Sequence, residues 1–397
     1  MTHTSYPLRM CSPDEAFNLI DEYFTPADTT QEDRVRQSFG QILARPVTAE
    51  RDVPGFDNSA MDGVVIRKSD WDAGQKTFEL SGEIPPELNE PPALKAGTAM
   101  RIMTGAAVPE GGDFIIPVEM IEESDGQVTI RDIPGKNPIR KRGEGYRKGT
   151  TVLEAGTLIR PYELGLMIEA GVSKCETRKT LVIGVLVTGS EIDESRNTNG
   201  PELSELINQW PGVMVREYPA VRDDPTELNQ HLLQLRDECD IIVTTGGISA
   251  GKSDYLPGIL EEENARLLIR KINQKPGKPF TLYDWEGTTV CCLPGNPVSA
   301  VFTAEIYLRR IHARLTNYPV HTHQTFLDED TSLQNAGEKT LFVPGKYYFN
   351  NGRIMVKGQA SMKSHLLQLY RDTNCYLQIP PESETNPDDF ITIFPFT

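Results

Sequence analysis

The chain lacks the features that would tie it to a membrane, an oxidising compartment or a nucleic acid. No stretch approaches the ~18 consecutive apolar residues that a membrane helix requires. The opening MTHTSYPLRMCSPDEAF has no charged segment leading into an apolar one, so a secretory leader is not expected. Six cysteines, Cys11, Cys175, Cys239, Cys291, Cys292 and Cys375, are scattered and form no C-x-x-C pair, the usage expected of a reduced cytoplasmic protein. Basic residues are outnumbered: 40 Lys and Arg stand against 57 Asp and Glu, a formal net charge of −17. That excess repels phosphate backbones, and no strongly basic run offsets it, so nucleic acid is not an expected partner. An anionic small molecule would need a local cluster of cations or backbone N–H groups to overcome the global field. Internal repeats and low-complexity tracts are missing too.

What is present is length and texture. At ~100–200 residues per domain, 397 residues with 38% apolar content make two to four domains, each able to bury a core. The first ~45 residues read as helical: Ser12, Pro13 and Glu15 look like an N-cap, an N1 proline and a capping-box acid, and a second periodic stretch covers 33–43. Residues 50–140 instead alternate turn formers with short β-type runs, MDGVVIR, TFELSGEI, AMRIMTG, DFIIPVEM and QVTIRDI, as in a small all-β module. Helical character returns at 160–170, which marks the module as an insertion. From 180 onward three apolar strands, 181–187, 240–244 and 289–293, each run into a loop and then helical periodicity, the pattern of a parallel sheet covered on both faces. Ligands of such sheets bind beyond the carboxyl ends of the strands. After Asn317 the texture is β-like again, in KTLFVPGKYYF, GRIMVKG, CYLQIP and FITIF.

The loops at those strand ends carry the candidate chemistry. Pro294-Gly295-Asn296-Pro297-Val298-Ser299 opens a helix with Asn296 placed as N-cap and Pro297 at N1, leaving orphan N–H groups suited to an anion. A rigid capped turn is the plain alternative. Gly246-Gly247-Ile248-Ser249-Ala250-Gly251-Lys252-Ser253 fits the phosphate-binding pattern G-x-x-x-x-G-K-S, yet no later strand ends in the Asp that a nucleotide triphosphatase needs for its metal. Closely spaced glycines still let backbone N–H groups approach a phosphate, and Asp254 follows them. Glu191 stands at the end of the first strand, in Thr188-Gly189-Ser190-Glu191, and Asp223 and Asp224 follow the run 213–221. Each acid alone is an ordinary cap or solvated group. Together Glu191, Asp223 or Asp224, and Asp254 make an oxygen-ligand set for Mg2+. Lys275-Pro276-Gly277-Lys278-Pro279 adds two cations on a stiff turn suited to an oxyanion.

In the N-terminal half, residues 54–63 crowd turn formers and polar groups around Met61, with Asp62 next to it; Thr104 follows Arg101-Ile102-Met103, and Arg140-Lys141-Arg142 forms a basic cluster. His321 and His323 form an H-x-H with no further ligand nearby, which reads as linker, and Cys291-Cys292 lies inside a strand and reads as core packing.

VPGFDNSAMDG, RIMTGAAVPEG, IRKRGE, TGSE, TTGGISAG, KPGKPF and LPGNPVSA occur in the order found in molybdopterin molybdenumtransferases, the MoeA-type enzymes whose counterpart is the E domain of gephyrin, and the chain resembles that family from its N-terminus through its C-terminal β region. The resemblance implies a multidomain α/β plus β fold: a split helical linker domain (1–46 and 143–177), an inserted β domain (47–142), a MogA-like molybdopterin-binding α/β domain (178–317) and a C-terminal β-barrel-like domain (318–397). It implies an elongated homodimer with a shared active site, and leaves room for contacts with other proteins of molybdenum-cofactor assembly. The implied substrates are adenylylated molybdopterin and molybdate; the implied cofactor is Mg2+, and the products are AMP and molybdenum cofactor. Glu191 and Asp254 would hold Mg2+ and approach the phosphates, with Asp223 or Asp224 nearby. Asp62 and Thr104 would close the site from the partner subunit. Gly246, Gly247, Ser249, Lys275, Lys278, Pro294, Gly295, Asn296, Pro297, Ser299 and Arg142 would contact pterin, phosphate or molybdate.

The chain departs from the family pattern at several positions. Gly145 ends a segment that usually reads R-R-G-E-D, the stretch 192–199 is short, Arg196-Asn197-Thr198-Asn199 replaces a D-x-N segment, and Pro344 stands where an Arg is common, whereas Ser364 persists. Two alternatives follow: a catalytically weakened pterin-binding scaffold of the same fold, and a molybdopterin adenylyltransferase-like enzyme.

Overall fold

The computed structural model describes residues 10–26, 29–189, 197–248, 255–358, 367–387 and 389–396. Its largest core surrounds a six-stranded sheet with the spatial order Val213–Glu217, Leu181–Val187, Ile241–Thr245, Thr288–Leu293, Thr281–Trp285, Arg266–Arg270. The first four strands are parallel, Thr281–Trp285 runs antiparallel to them, and Arg266–Arg270 pairs antiparallel with Thr281–Trp285. The sheet is therefore mixed rather than parallel throughout. Glu286 and Gly287, both with positive φ, close a two-residue hairpin between Thr281–Trp285 and Thr288–Leu293, and such a turn joins only antiparallel strands.

Both faces of this sheet are covered. Ile183, Val185, Ile241, Val243, Cys291 and Leu293 point into one apolar cluster, whereas Leu186, Ile242, Val290 and Cys292 point into another. Successive side chains of a strand alternate between faces, so burial on both sides demands the uninterrupted apolar runs seen in the sequence. The six cysteines are free thiols, and Cys291 and Cys292 fill the two cores. Helix Asn199–Asn208 and the long helix 297–316, which contains a π-helical turn at Ala304–Leu308, cover the first face; Pro225–Glu238 and Leu256–Glu262 cover the second.

Helix Pro13–Tyr23 starts with the expected capping box: Ser12 Oγ accepts from Glu15 N at 3.2 Å, and Glu15 Oε2 accepts from Ser12 N at 2.7 Å. Its Ala16, Phe17 and Ile20 are buried with Tyr307 and Ile311, and Arg310 Nε donates to Asp21 Oδ1 at 2.9 Å. The first helix thus packs on the α/β core. The helix expected over 33–43 is not formed. Thr30–Arg34 is a strand paired antiparallel with Lys174–Arg178, followed by a 3-10 turn, Val35–Gln37. Ladder bonding to a distant partner overrides the local periodicity. Helix Pro161–Glu169 forms as expected.

The inserted region makes its own six-stranded sheet, in the order Phe114–Pro117, Gly63–Ile66, Thr98–Ile102, Thr77–Ile84, Gln127–Ile130, Ile121–Ser124, with an apolar cluster on each face. The C-terminal region closes on itself: strands run in the order Thr340–Asn350, Arg353–Gly358, His323–Leu327, Phe390–Pro395, Cys375–Ile379, and the last pairs back to the first. Closure removes the free edges of this five-stranded barrel. The short strand Gln274–Lys275 runs parallel to its Thr340-Leu341 edge and stitches it to the α/β unit.

Candidate active site

Three loops meet at the carboxyl ends of the parallel strands, and glycine makes the meeting possible. Gly246 has φ +89°, and a Cβ there would lie 2.4 Å from the Thr188 carbonyl oxygen. A Cβ on Gly295 would in turn sit 3.4 Å from the Gly246 Cα. The loops after Leu181–Val187, Ile241–Thr245 and Thr288–Leu293 therefore touch backbone to backbone, an approach only glycine permits at Gly246. Thr188 N donates to Thr245 O at 2.9 Å, and Gly246 N donates to Leu293 O at 3.3 Å. Asn199, the buried first residue of its helix, ties the edge together: its Nδ2 donates to Gly295 O at 2.9 Å and to Thr245 Oγ1 at 3.2 Å.

Asn296 holds the N-cap position of the 297–316 helix, with Pro297 at N1 and Ser299 buried in the first turn, but its side chain makes no capping bond. Its Oδ1 and that of Asn199 are buried without a hydrogen-bond partner. The turn after Lys275 lies against the same helix. Gly277 has φ +79°, and a Cβ there would lie 2.5 Å from Thr303 Cγ2 and 3.0 Å from Phe302 Cδ1. Phe302 and Thr303 follow the N-cap by six or seven residues, about 10 Å along the axis at ~1.5 Å per residue. Lys275 and Lys278 are exposed and have no ion-pair partner among the described residues.

The acids are placed unevenly. Val221 bridges Thr188, and Gly189 N donates to Val221 O at 3.1 Å, so Asp223 and Asp224 follow a segment held at the same edge. Asp224 caps helix Pro225–Glu238, its Oδ1 accepting from Thr226 N at 3.0 Å and Glu227 N at 2.8 Å. Glu191, Ser249, Asp254 and Ser364 lie outside the described residues. No group of three or more His, Cys, Asp or Glu side chains gathers among the described residues. His321 and His323 are no exception: their rings lie 6.4 Å apart with no third ligand, and His323 begins a strand.

Asp62, Thr104 and Arg142 belong to a second locality. Asp62 precedes strand Gly63–Ile66 and Thr104 follows its antiparallel partner Thr98–Ile102. Asp62 Oδ1 accepts from Thr104 N at 2.7 Å and from Thr104 Oγ1 at 2.9 Å. Those bonds, the backbone one foremost, hold the exposed carboxyl below the usual carboxylate range. Arg142 is engaged: its Nε donates to Asp52 Oδ2 at 2.6 Å and its N to Asp57 Oδ1 at 2.8 Å, while Lys141 Nζ pairs with Asp57 Oδ2 at 2.7 Å. Much of the expected basic cluster is thus neutralised internally. The hydrogen bonds and ion pairs of Asp62, Thr104 and Arg142 all stay within residues 52–148.

Sequence reasoning missed Asn199, Thr188 and Thr245 as builders of the edge. A signal existed in the Asn197-Thr198-Asn199-Gly200 run that opens an amphipathic helix: Asn197 Oδ1 accepts from Gly200 N at 2.9 Å, which leaves Asn199 to reach across to Gly295.

A covered α/β sheet with glycine-built loops at its strand ends, joined to a second β sheet and a closed β barrel, defines a multidomain α/β plus β protein. Residues 11–171 match the family model for the MoeA N-terminal region, domains I and II, and residues 184–313 match that for a probable molybdopterin binding domain. The molybdopterin molybdenumtransferase of Haemophilus influenzae is 30% identical over 408 aligned positions, covering 98% of this chain and 99% of that protein, and one from Staphylococcus aureus is 29% identical with 87% and 86% covered. The chain belongs to the molybdopterin molybdenumtransferase family of enzymes. The crystal structure of the molybdopterin biosynthesis MoeA protein from Pyrococcus horikoshii shares the fold, with a TM-score of 0.80 at 24% identity over 98% of this chain and 100% of that one.

Proposed function

We propose that the chain inserts molybdenum from molybdate into adenylylated molybdopterin in the presence of Mg2+, releasing AMP and forming molybdenum cofactor. The observation that carries this reading is the convergence of the 188–189, 246–247 and 295–297 backbones at one sheet edge, in a chain whose relatives carry that enzyme name. Gly246 and Gly247 would let backbone N–H groups approach the phosphates, and Lys275 and Lys278, which have no ion-pair partner among the described residues, supply local positive charge against a global −17. Asp223 or Asp224, with Glu191 and Asp254, would be the oxygen donors to Mg2+; Asp224 also caps helix Pro225–Glu238. A bound Mg2+ would offset charge on the phosphates.

Asp62, Thr104 and Arg142 make their bonds among themselves and their neighbours, and we place them at the sheet edge of a second copy in a cytoplasmic homodimer. Incubation of the purified protein with adenylylated molybdopterin, molybdate and Mg2+ tests the proposal through release of AMP. The scaffold reading has one observation in its favour. A Cβ at Gly145 would lie 3.0 Å from the Val53 carbonyl oxygen, so a side chain at this position would need the loop to shift. Tight pterin binding without AMP release would establish that reading instead.

A further inference from the structure

The Pro294–Pro297 turn reads in the sequence as an anion site, but the atoms buried beside it are acceptors. Asn199 is fixed by its partners: the Gly295 carbonyl oxygen can only accept, so the atom 2.9 Å from it is the amide nitrogen. The Asn199 Oδ1 therefore points elsewhere, and it is buried with no partner in a residue that is only 6% exposed. The next residue after Gly295 repeats the situation. Asn296 sits at the head of its helix, yet its Oδ1 makes no capping bond and is likewise buried and unpartnered. Leaving a buried acceptor without a donor is costly, and here two of them stand on either side of the Gly295 peptide at the strand ends, where a ligand or water can supply the donors.

We propose that Asn199 and Asn296 are a paired acceptor subsite for the N–H edge of a heterocycle, namely the amino-pyrimidinone edge of a pterin, and not a seat for molybdate or phosphate. This rests on the functional reading above and assigns the end of the substrate that the turn holds. A pterin offers adjacent ring N–H and amino donors, which two amide oxygens can receive together. Adenine offers an amino group beside a ring acceptor and satisfies only one. Oxyanions offer acceptors alone and are repelled by both oxygens. The positive charge that an oxyanion requires comes from Lys275 and Lys278, on the turn seated further along the same helix.

Binding of molybdopterin, AMP and molybdate to the full-length protein, each measured separately, tests the assignment in Asn296→Ala and Asn296→Asp. Asn296 makes no side-chain capping bond and its Oδ1 has no partner among the described residues, so both variants are expected to retain the structure, which circular dichroism and thermal melting check. The expected result is about tenfold weaker molybdopterin binding in Asn296→Ala, restoration or strengthening in Asn296→Asp, which keeps the acceptors, and AMP and molybdate affinities within about twofold of wild type in Asn296→Ala. Unchanged molybdopterin binding in Asn296→Ala overturns the subsite. So does a loss in Asn296→Asp as large as in Asn296→Ala, which would mean that the amide donates to the ligand. An equal loss of molybdate binding in Asn296→Ala overturns it in favour of an oxyanion seat. Wild-type protein that binds no molybdopterin overturns the functional reading as well, whereas the other outcomes touch the subsite alone.

Discussion

Asp62 is the residue at which charge and structure separate most cleanly. Its Oδ1 organises Thr104, and an amide oxygen in the same place would accept the same two bonds. Asp62→Asn is therefore expected to keep the turn and its melting temperature while lowering AMP release about a hundredfold, if the carboxylate acts on substrate. Wild-type turnover in that variant would reduce Asp62 to a turn former. The pH dependence has a definite sign. Its carboxyl lies below the usual range, so the group is fully ionised above the unfolded value of about 4, and its contribution is lost only as pH falls through the lower folded value. A fall in activity between pH 8 and 5 must then come from another group, and a profile that moves with Asp62→Asn in that range would contradict the assignment. The turn that holds Asp62 and Thr104 was legible from the density of polar turn residues. The engagement of Arg142 and Lys141 by Asp52 and Asp57 was not, because those acids lie 84 to 90 positions away in the sequence.

At the scale of elements, the strand ends depend on backbone contact. Gly246→Ala puts a Cβ 2.4 Å from the Thr188 carbonyl oxygen at a φ of +89°, and both the clash and the backbone conformation oppose it. A loss of about 2 kcal/mol or more in denaturant unfolding is expected, together with weakened ligand binding. Gly258 is the internal control. It lies inside helix Leu256–Glu262, and a Cβ added there would meet nothing within 4 Å outside its own helix backbone, so Gly258→Ala should stabilise by about 0.5–1 kcal/mol. Equal effects of the two substitutions would mean that the Gly246 contact does not constrain the fold. Strands such as Leu181–Val187 were readable because burial on two faces leaves an unbroken apolar run, and the Pro13–Tyr23 helix because Ser12 and Glu15 form a local cap. Thr30–Arg34 escaped because its partner, Lys174–Arg178, is remote, and a polar edge strand leaves little periodic signal. The mixed character of the central sheet was hidden in one dipeptide, Glu286-Gly287.

The whole molecule carries a pH liability apart from its site. His312 is buried against Trp210, its Nε2 lies 2.8 Å from the Pro211 carbonyl oxygen, and burial pushes its pKa down to about 4. A histidine depressed in the folded state lends stability that is complete above the unfolded value of about 6.5 and is lost as pH falls towards 4, on the order of 3 kcal/mol in all. Melting temperature should fall between pH 7 and 5, and His312→Gln, which can still donate to Pro211 O, should flatten that fall; an unchanged slope would remove His312 as its cause. The proposed sharing of sites between two copies has its own test at this scale. Mixing Asp62→Ala with Lys278→Ala chains should restore about a quarter of wild-type activity after subunit exchange, because half of the dimers then hold one intact site. No restoration would put both residues in a site made by one chain.

The most direct test of the central claim is the release of AMP from adenylylated molybdopterin by the purified protein. Release that requires both molybdate and Mg2+, and that stops when Mg2+ is chelated, is the predicted result. Adenylylated molybdopterin that stays bound and intact with both present, or that is instead formed from ATP and molybdopterin, would contradict it.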